Sequence, residues 1–244
     1  MDSGFYAASA GLRAQTQALE VTAHNLANVN TPGFRGELTT FQSLLVFSHP
    51  TIQNALNLAT NNFGVLQGTR LDLEEGNLTT TGNPLDVGIE GKGFFAVRTE
   101  RGTRYTRDGS FQISSAGLLV TTAGDPVLGD TGPIRIPAGQ VAISTDGTVS
   151  VNGTVAGHIS VVDFPPGTNL LSEGGTLVSA PAGTEQSAQE ASLRQSTMES
   201  SNVNAISSVV GMISVQREAE MLGRAMSLFD TEFNHIAASD LAKV

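Results

Sequence analysis

The sequence has no cysteine and no tryptophan, and Lys92 and Lys243 are its only lysines. Without cysteine there is no disulfide framework, no thiolate zinc site and no cysteine nucleophile. Thirteen basic residues face 23 acidic ones, so the formal net charge of the 244-residue chain is −10. No basic patch is therefore available for a phosphate backbone or an anionic membrane surface, which argues against nucleic acid as a partner.

Long apolar runs are also missing, because Ser, Thr, Gln or Gly interrupts each apolar stretch. A membrane-spanning helix is therefore not expected. The N-terminus does not resemble a cleaved secretory signal, since the first basic residue is Arg13 and no unbroken apolar segment follows it. We expect a chain that remains in the cytosol or leaves the cell by a route that needs no cleaved signal.

Motifs of catalytic, cofactor and metal sites are scarce. Residues 91–96 match G-x-G-x-x-A, but an apolar strand-like run follows them where a phosphate-binding loop would open a helix. The four histidines have no metal-ligand spacing, and no G-x-S-x-G occurs. An enzymatic alternative rests on Asp72, Glu74 and Glu75 as a carboxylate cluster. Asp72 and Glu74 alternate with leucines, which favours the solvated face of an edge strand. We expect no catalysis, no cofactor and no metal.

Helical patterns occupy the two ends of the chain. Apolar residues recur at heptad spacing from Phe5 to Val29, and Thr31-Pro32-Gly33 ends this pattern. A longer repeat runs from Ala205 to Ile236, with Asn202 or Ser201 as the expected N-cap. The large apolar residues of these two seams are Phe5, Leu12, Leu19, Leu26 and Val29, and Met212, Val215, Leu222, Met226, Phe229, Phe233 and Ile236.

The middle of the chain is rich in turn signals. Asp108-Gly109, Asp146-Gly147 and Asn152-Gly153 predict two-residue hairpin turns of the primed type. A β-meander is expected over residues 140–164, and Asp86 is expected in a tight turn like Asp108. The aromatic residues on strand-like runs are expected in the β-domain core; they are Phe94, Phe95, Tyr105 and Phe111.

The order of these patterns predicts an α+β fold, with long terminal helices forming a coiled-coil-like α domain and a central, mainly antiparallel β domain. We expect a helix and elbow at 1–36, a connection at 37–76, the β domain at 77–185, and a polar lead-in with the last helix at 186–244. The helices pair with each other or with neighbouring copies, or they form a hairpin packed on their own β domain. Layout alone leaves these alternatives open.

Several runs of residues resemble a known family. Residues 25–35 (NLANVNTPGFR) closely resemble the N-terminal signature of the bacterial flagellar axial proteins, the rod and hook subunits. Further similar runs follow in the family's order over nearly the whole chain: 81–95 (TGNPLDVGIEGKGFF), 105–111 (YTRDGSF), 117–121 (GLLVT), and 199–204 (ESSNVN) with 212–213 (MI) and 216–217 (QR).

The resemblance implies a structural protein of the flagellar basal-body rod. Its terminal helices would form an inner coiled coil with other copies and other rod subunits, and the β domain would pack outside it. Such subunits leave the cytoplasm through the flagellar type III export apparatus without a cleaved signal. The start of the chain (Met1-Asp2), residues 31–38, and residues 132–137 leading to 146–149 are most similar to proximal rod subunits, with distal rod subunits as the alternative. Another class, a secreted acidic β-rich binding module, would work without the helices.

The signature also suggests roles for four residues at the elbow. Asn25 and Asn28 lie near the end of the first helix, where their amides can satisfy its last carbonyls or a neighbouring chain. Gly33 permits the chain to reverse, and Phe34 offers an anchor beyond it. Together with the two seams, these residues form the predicted assembly interface.

Overall fold

The computed structural model describes residues 2–42 and 65–241. It contains one helix near each end, α1 (Asp2–Ala27) and α2 (Ala205–Leu241), and a β-rich middle, which confirms the predicted α+β class. The chain forms two compact units. The β unit comprises residues 27–36 and 70–203, and the helical unit comprises 1–26, 37–69 and 204–244.

The two helices form where no proline interrupts the apolar repeat. α2 begins at Asn204, whose Oδ1 accepts a hydrogen bond from the Ser207 backbone N at 3.0 Å. This is N-cap geometry, so the predicted caps Asn202 and Ser201 are wrong. Neither helix is long and apolar enough, over its described residues, to cross a lipid bilayer.

Short strands make up the middle of the chain. They are β1 (Glu37–Gln42), β2 (Val65–Leu71), β3 (Leu78–Thr80), β4 (Val87–Glu90), β5 (Phe94–Thr99), β6 (Gly102–Thr106), β7 (Gln112–Ile113), β8 (Leu119–Val120), β9 (Leu128–Gly129), β10 (Gly132–Pro133), β11 (Val141–Ile143), β12 (Thr148–Val151), β13 (Thr154–His158), β14 (Val161–Asp163), β15 (Leu171–Ser172), β16 (Leu177–Ser179), β17 (Gln186–Ser187), β18 (Ser192–Gln195) and β19 (Thr197–Glu199).

A six-stranded sheet with the order β15-β16-β6-β5-β14-β17 dominates the β unit. Its pairings are antiparallel, as predicted. The predicted meander is present as the three-stranded sheet β11-β12-β13, and β14, at the end of the predicted range, joins the six-stranded sheet. The remaining strands pair two by two: β1-β2, β10-β9, β18-β4, β19-β3 and β7-β8.

One of the three predicted primed turns is confirmed. Asn152 and Gly153 both have positive φ, 50° and 83°, and connect β12 to β13. Gly147 has φ of 95°, but Asp146 is not in the left-handed region, so this hairpin turn has another geometry. Gly109 has no positive φ, and its carbonyl accepts a hydrogen bond from the Val87 backbone N at 3.0 Å. Long-range backbone pairing thus replaces the expected local turn.

The ends of the β unit also differ from the prediction. Strands β17, β18 and β19 occupy part of the segment 186–199, which was expected to be a polar lead-in. They pair with β14, β4 and β3, so distant partners make strands of a locally featureless sequence. In the predicted connection, β1 and β2 are strands, and residues 43–64 lie outside the described part of the chain.

Two apolar clusters fill the β unit. The larger is built on Phe95 and Phe111, whose rings meet edge to face with centroids 5.0 Å apart. The smaller one contains Phe94 and Tyr105. All four predicted core aromatics are buried, which confirms the prediction.

Candidate assembly site

The elbow after α1 is built from a turn and one obligatory glycine. The Thr31 backbone N donates to the Asn28 carbonyl at 3.1 Å, and Gly33 follows with φ of 65°. A Cβ on Gly33 would overlap the backbone N of Asp108, so the chain passes too close for any side chain. The predicted role of Gly33 in the reversal is confirmed.

Phe34 is the next residue and is 1% exposed within the β unit. In the single chain it anchors the elbow to the β unit, and its predicted part in the assembly interface stays a prediction. Arg35 follows and is also buried, although it carries a charge. Burying a charge is costly unless it is paired and hydrogen-bonded, so its surroundings decide whether the elbow is stable.

Glu199, at the end of β19, is the partner of Arg35. Nη2 of Arg35 lies 2.7 Å from Oε1 of Glu199, and Nη1 of Arg107 lies 3.3 Å from Oε2. The same Oε1 accepts a hydrogen bond from the Gly76 backbone N at 2.7 Å. All three charged side chains are almost fully buried. The sequence resemblance included these residues, but spacing gave no sign that they meet.

Arg107 has further partners in the β unit. Its guanidinium donates to the carbonyls of Ile89 and Gly91, at 3.3 and 2.7 Å, and lies 5.6 Å from the centre of the Phe94 ring. Burial lowers the pKa of Arg107 to about 10; the Glu199 carboxylate opposes this shift, and the Arg35 charge adds to it. Arg107 remains charged at neutral pH.

The side chain of Asn25 binds the start of β1, not the last carbonyls of α1 that were one of its two predicted partners. The Asn25 side chain donates to the Glu37 carbonyl at 2.8 Å and accepts from the Glu37 backbone N at 2.9 Å. Oδ1 of Asn28 accepts from the Thr31 hydroxyl at 3.1 Å. The chain returns to α1 where β1 begins, so Asn25 has a backbone partner that sequence spacing does not reveal.

Asn202, which does not cap α2, joins three segments of the β unit. Its Oδ1 accepts from the Gly36 backbone N at 2.8 Å, and its Nδ2 donates to the carbonyls of Asp72 and Glu74 at 3.1 and 3.0 Å. Its backbone N also donates to the Phe34 carbonyl at 3.4 Å. Both the oxygen and the nitrogen of the Asn202 side-chain amide are thus hydrogen-bonded inside the β unit.

The predicted seam of α1 lies about a quarter turn from the line of residues that the structure buries. Leu12, Leu19 and Leu26 are only half-buried. Val29 lies in the turn beyond Ala27, so its assignment to the helix is wrong. The buried line is formed mainly by small residues, which permit close approach of another segment: Ala8, Gly11, Ala14, Ala18 and Val21.

The predicted seam of α2 is half-buried where its side chains are described, at Met212, Val215, Leu222 and Met226. Gln15 of α1 donates to the Glu218 carboxylate of α2 at 2.6 Å, so the two helices meet within the helical unit. The side chains of the other large seam residues lie outside the described part, although the residues are in the helices: Phe5, Phe229, Phe233 and Ile236.

A second apolar stripe on α2 was missed by the sequence analysis. We call it the outer stripe; its members are exposed, and it comprises Ile206 (78%), Val210 (59%), Ile213 (46%), Met221 (61%) and Leu228 (67%). At about 100° per residue, this stripe lies about 180° from the predicted seam. A search for a second repeat of three and four over 206–228 would have found it.

The carboxylates considered for catalysis are used locally. Asp86 accepts hydrogen bonds from Thr81 and Asn83 at 2.7 and 2.8 Å. Asp108 accepts from the Ser110 backbone N at 3.0 Å, a local bond between side chain and backbone. Asp72 accepts from the Glu74 backbone N at 3.0 Å, beyond the end of β2, so the expected edge strand is absent there.

No group of three or more His, Asp or Glu that could hold a metal ion occurs within residues 2–42 and 65–241. The glycine-rich run Gly91–Gly93 connects β4 to β5, both of them strands. It does not open a helix, so its backbone lacks the arrangement that cradles a phosphate.

Comparison with known proteins identifies two family regions. Residues 5–35 match the family described as flagella basal body rod protein, and residues 88–151 match the D1 domain of the flagellar hook proteins FlgE, FlgF and FlgG. These regions are the first helix with its elbow and a large part of the β unit.

Relatives extend this similarity to the whole chain. The flagellar basal-body rod protein FlgF of Mesorhizobium japonicum is 33% identical over 90% of both chains. FlgF of Caulobacter vibrioides is 30% identical over 100% of both, and the rod protein FlgG of Borreliella burgdorferi is 32% identical over 94% of this chain and 96% of its own. Since identity at this level covers both chains almost completely, the chain belongs to the family of flagellar basal-body rod proteins.

Proposed function

We propose that this chain is a structural, non-enzymatic subunit of the flagellar basal-body rod, located in the rod itself, and that its terminal helices join it to neighbouring subunits. The outer stripe of α2 carries this proposal, because it exposes large apolar side chains to water in the single chain. Large apolar side chains that recur along one exposed helix face indicate a binding surface for another protein.

The two faces of α2 suit two sets of partners. The seam with Met212, Val215, Leu222 and Met226 is half-buried in the helical unit and would pair with α1 as a coiled coil. The outer stripe then remains for the helices of other copies and of other rod subunits. Head-to-tail contacts between identical subunits build an open helical filament unless they close into a ring, which agrees with a shaft that transmits torque.

Two finer statements belong to the proposal. Subunits would reach the rod through the flagellar type III export apparatus, and the excess of 23 acidic over 13 basic residues would help to keep the exported monomer soluble. The similarity of the chain start, of residues 31–38, and of residues 132–137 and 146–149 to proximal rod subunits supports a proximal position, and a distal position is the alternative.

The outer stripe is tested by adding charge to it. Val210→Glu with Met221→Glu places two carboxylates on exposed positions of α2, and Val155→Glu, at a residue 68% exposed on β13, is the matched control. Each variant is expressed in a strain that lacks the parent chain. We expect cells with the stripe variant to have no complete rods and not to swim, and cells with the control variant to have normal rods and to swim. Thermal unfolding of the purified chains should be unchanged in both. Normal rods with the stripe variant would overturn the proposal.

Electron microscopy of basal bodies from a deletion strain tests the position. A short stub near the inner membrane supports the proximal position, and a longer truncated rod supports the distal one. A complete rod with a normal hook would contradict a structural role and favour a β-rich binding module that works without its helices.

A further inference from the structure

The two segments that lead into the terminal helices are fastened to each other inside the β unit. Gly33 of the elbow donates its backbone N–H to the Glu199 carbonyl at 2.8 Å, and the Gly36 N–H is bound by the Asn202 side chain at 2.8 Å. Arg35 adds the 2.7 Å contact to the Glu199 carboxylate. We call this group, Arg35, Arg107, Glu199 and Asn202, the clasp.

The charges of the clasp are unequal, with two guanidinium groups and one carboxylate. Arg107 has the carbonyls of Ile89 and Gly91 and the Phe94 ring as additional partners. Nε and Nη1 of Arg35 have no hydrogen-bond partner among the described residues, and the same holds for Nε of Arg107 and Oε2 of Glu199. Arg35 differs in that no carbonyl or ring in the described part of the chain is a further partner of its guanidinium. Since the Arg35 side chain is 2% exposed, its charge depends on Glu199.

We propose that Glu199 is a positioning residue for rod assembly, which holds the elbow of α1 beside the segment that leads into α2 so that both helices are offered to neighbouring subunits together. This inference rests on the proposed function. Glu199 lies only six residues before α2, and its partner Arg35 lies eight residues after α1, so one side-chain contact links the two ends of the chain.

Glu199→Gln tests the contact with little change in shape. The matched control is Glu90→Gln, which removes the carboxylate of a half-exposed pair with Arg194 at 2.7 and 2.9 Å. Removing one partner of a buried pair leaves an uncompensated charge, so we expect Glu199→Gln to lower the Tm of the full chain by about 10 °C. The control should change the Tm by about 2 °C or less.

The double variant Arg35→Met with Glu199→Gln separates positioning from stability. It also removes the Arg35 charge, so no unpaired charge remains at this position, and Arg107 keeps its carbonyl partners. The Tm of the double variant should therefore be close to that of the parent chain. The ion pair between elbow and strand is still missing, although the backbone bond from Gly33 to Glu199 and the bond from Gly36 to Asn202 remain. We therefore expect fewer complete rods by electron microscopy and faster hydrogen exchange at the Gly33 and Gly36 amides.

Three results would overturn the inference. These are normal rods with Glu199→Gln, rods that return together with the Tm in the double variant, and a double variant as unstable as the single one. The last result would mean that Glu199 supports the β unit by something other than holding Arg35. None of these results changes the outcome of the charge test on the outer stripe, so a failure of the clasp and a failure of the proposed function are distinguishable.

Discussion

The β unit and the helical unit handle their apolar residues in opposite ways. In the β unit, Phe95, Val97 and Val149 are completely buried, and even Arg35 and Glu199 are enclosed. In the helical unit, α2 carries six of the eleven large apolar side chains that are exposed in the described part of the chain. The β unit thus completes its core within one chain, whereas α2 leaves apolar surface for a partner.

If the chain assembles as proposed, this difference allows the β unit to fold before assembly while α2 keeps a surface for neighbouring subunits. A closed core stabilises the β unit without help from another chain. Isolated helices gain most of their stability from packing of an apolar face, so the helical unit gains more from neighbouring copies than the β unit does. Substitutions in the two units should therefore have effects of very different size on the single chain.

The largest effect is expected in the β core. Phe95→Ala removes a fully buried ring and its edge-to-face contact with Phe111, so the free energy of unfolding should fall by about 3–5 kcal/mol. Val210→Ala on the outer stripe should change it by about 0.5 kcal/mol or less. Urea denaturation of the purified chains, followed by circular dichroism, measures both. Equal losses for the two variants would refute the contrast between the units.

A smaller loss is expected at the elbow. Gly33→Ala introduces a Cβ at φ of 65° that overlaps the Asp108 backbone, and we expect a loss of about 2–4 kcal/mol in unfolding free energy. Gly153→Ala is the matched control, since its φ is 83° but nothing lies within 4 Å of the added Cβ. The control should lose only about 1 kcal/mol, from backbone strain. If both variants lost the same amount, the close approach at Gly33 would have no energetic consequence.

The smallest effect concerns a surface carboxylate of the β unit. Hydrogen bonding from Arg104 holds the pKa of Glu173 below its usual value of 4.5, with further help from the charges of Arg104 and Arg101. A depressed pKa in the folded state stabilises the fold above pH 4.5, and this contribution is lost as the pH falls through the folded pKa.

Glu173→Gln should therefore lower the Tm slightly at pH 7, and the difference from the parent chain should vanish in acid. High salt should reduce the difference at pH 7, because the side chain is partly exposed and its ion pair is screened. Thermal melts across pH 3–7 at two salt concentrations provide the measurement. A difference that grows towards low pH would have the wrong sign.

Local patterns predicted some of these features well. The apolar repeats marked both helices, the dipeptide Asn152-Gly153 marked a true primed turn, and the aromatics on strand-like runs proved to be core. Each of these depends on neighbours within a few residues, where periodicity and backbone preference act directly. The family resemblance, carried by residues 25–35 and the later runs, is confirmed by the relatives.

Other features could not be read from local patterns. The strands at 186–199 have unremarkable sequences and exist because β3, β4 and β14 lie beside them. Asn202 looked like a helix cap, but its amide binds the elbow instead. The buried residues of α1 are mostly small. The face of a helix that is buried depends on the shape of the surface that packs against it as well as on apolarity.

The amino-acid order alone therefore determined the class of the fold, the positions of the two helices and the absence of cysteine chemistry, because these follow from composition and from spacing along the chain. Only the tertiary structure brought Arg35 and Glu199, 164 positions apart, to within 2.7 Å. It also decided which face of α2 remains exposed. Such pairings depend on how strands meet across the β unit, and no spacing along the chain encodes that geometry.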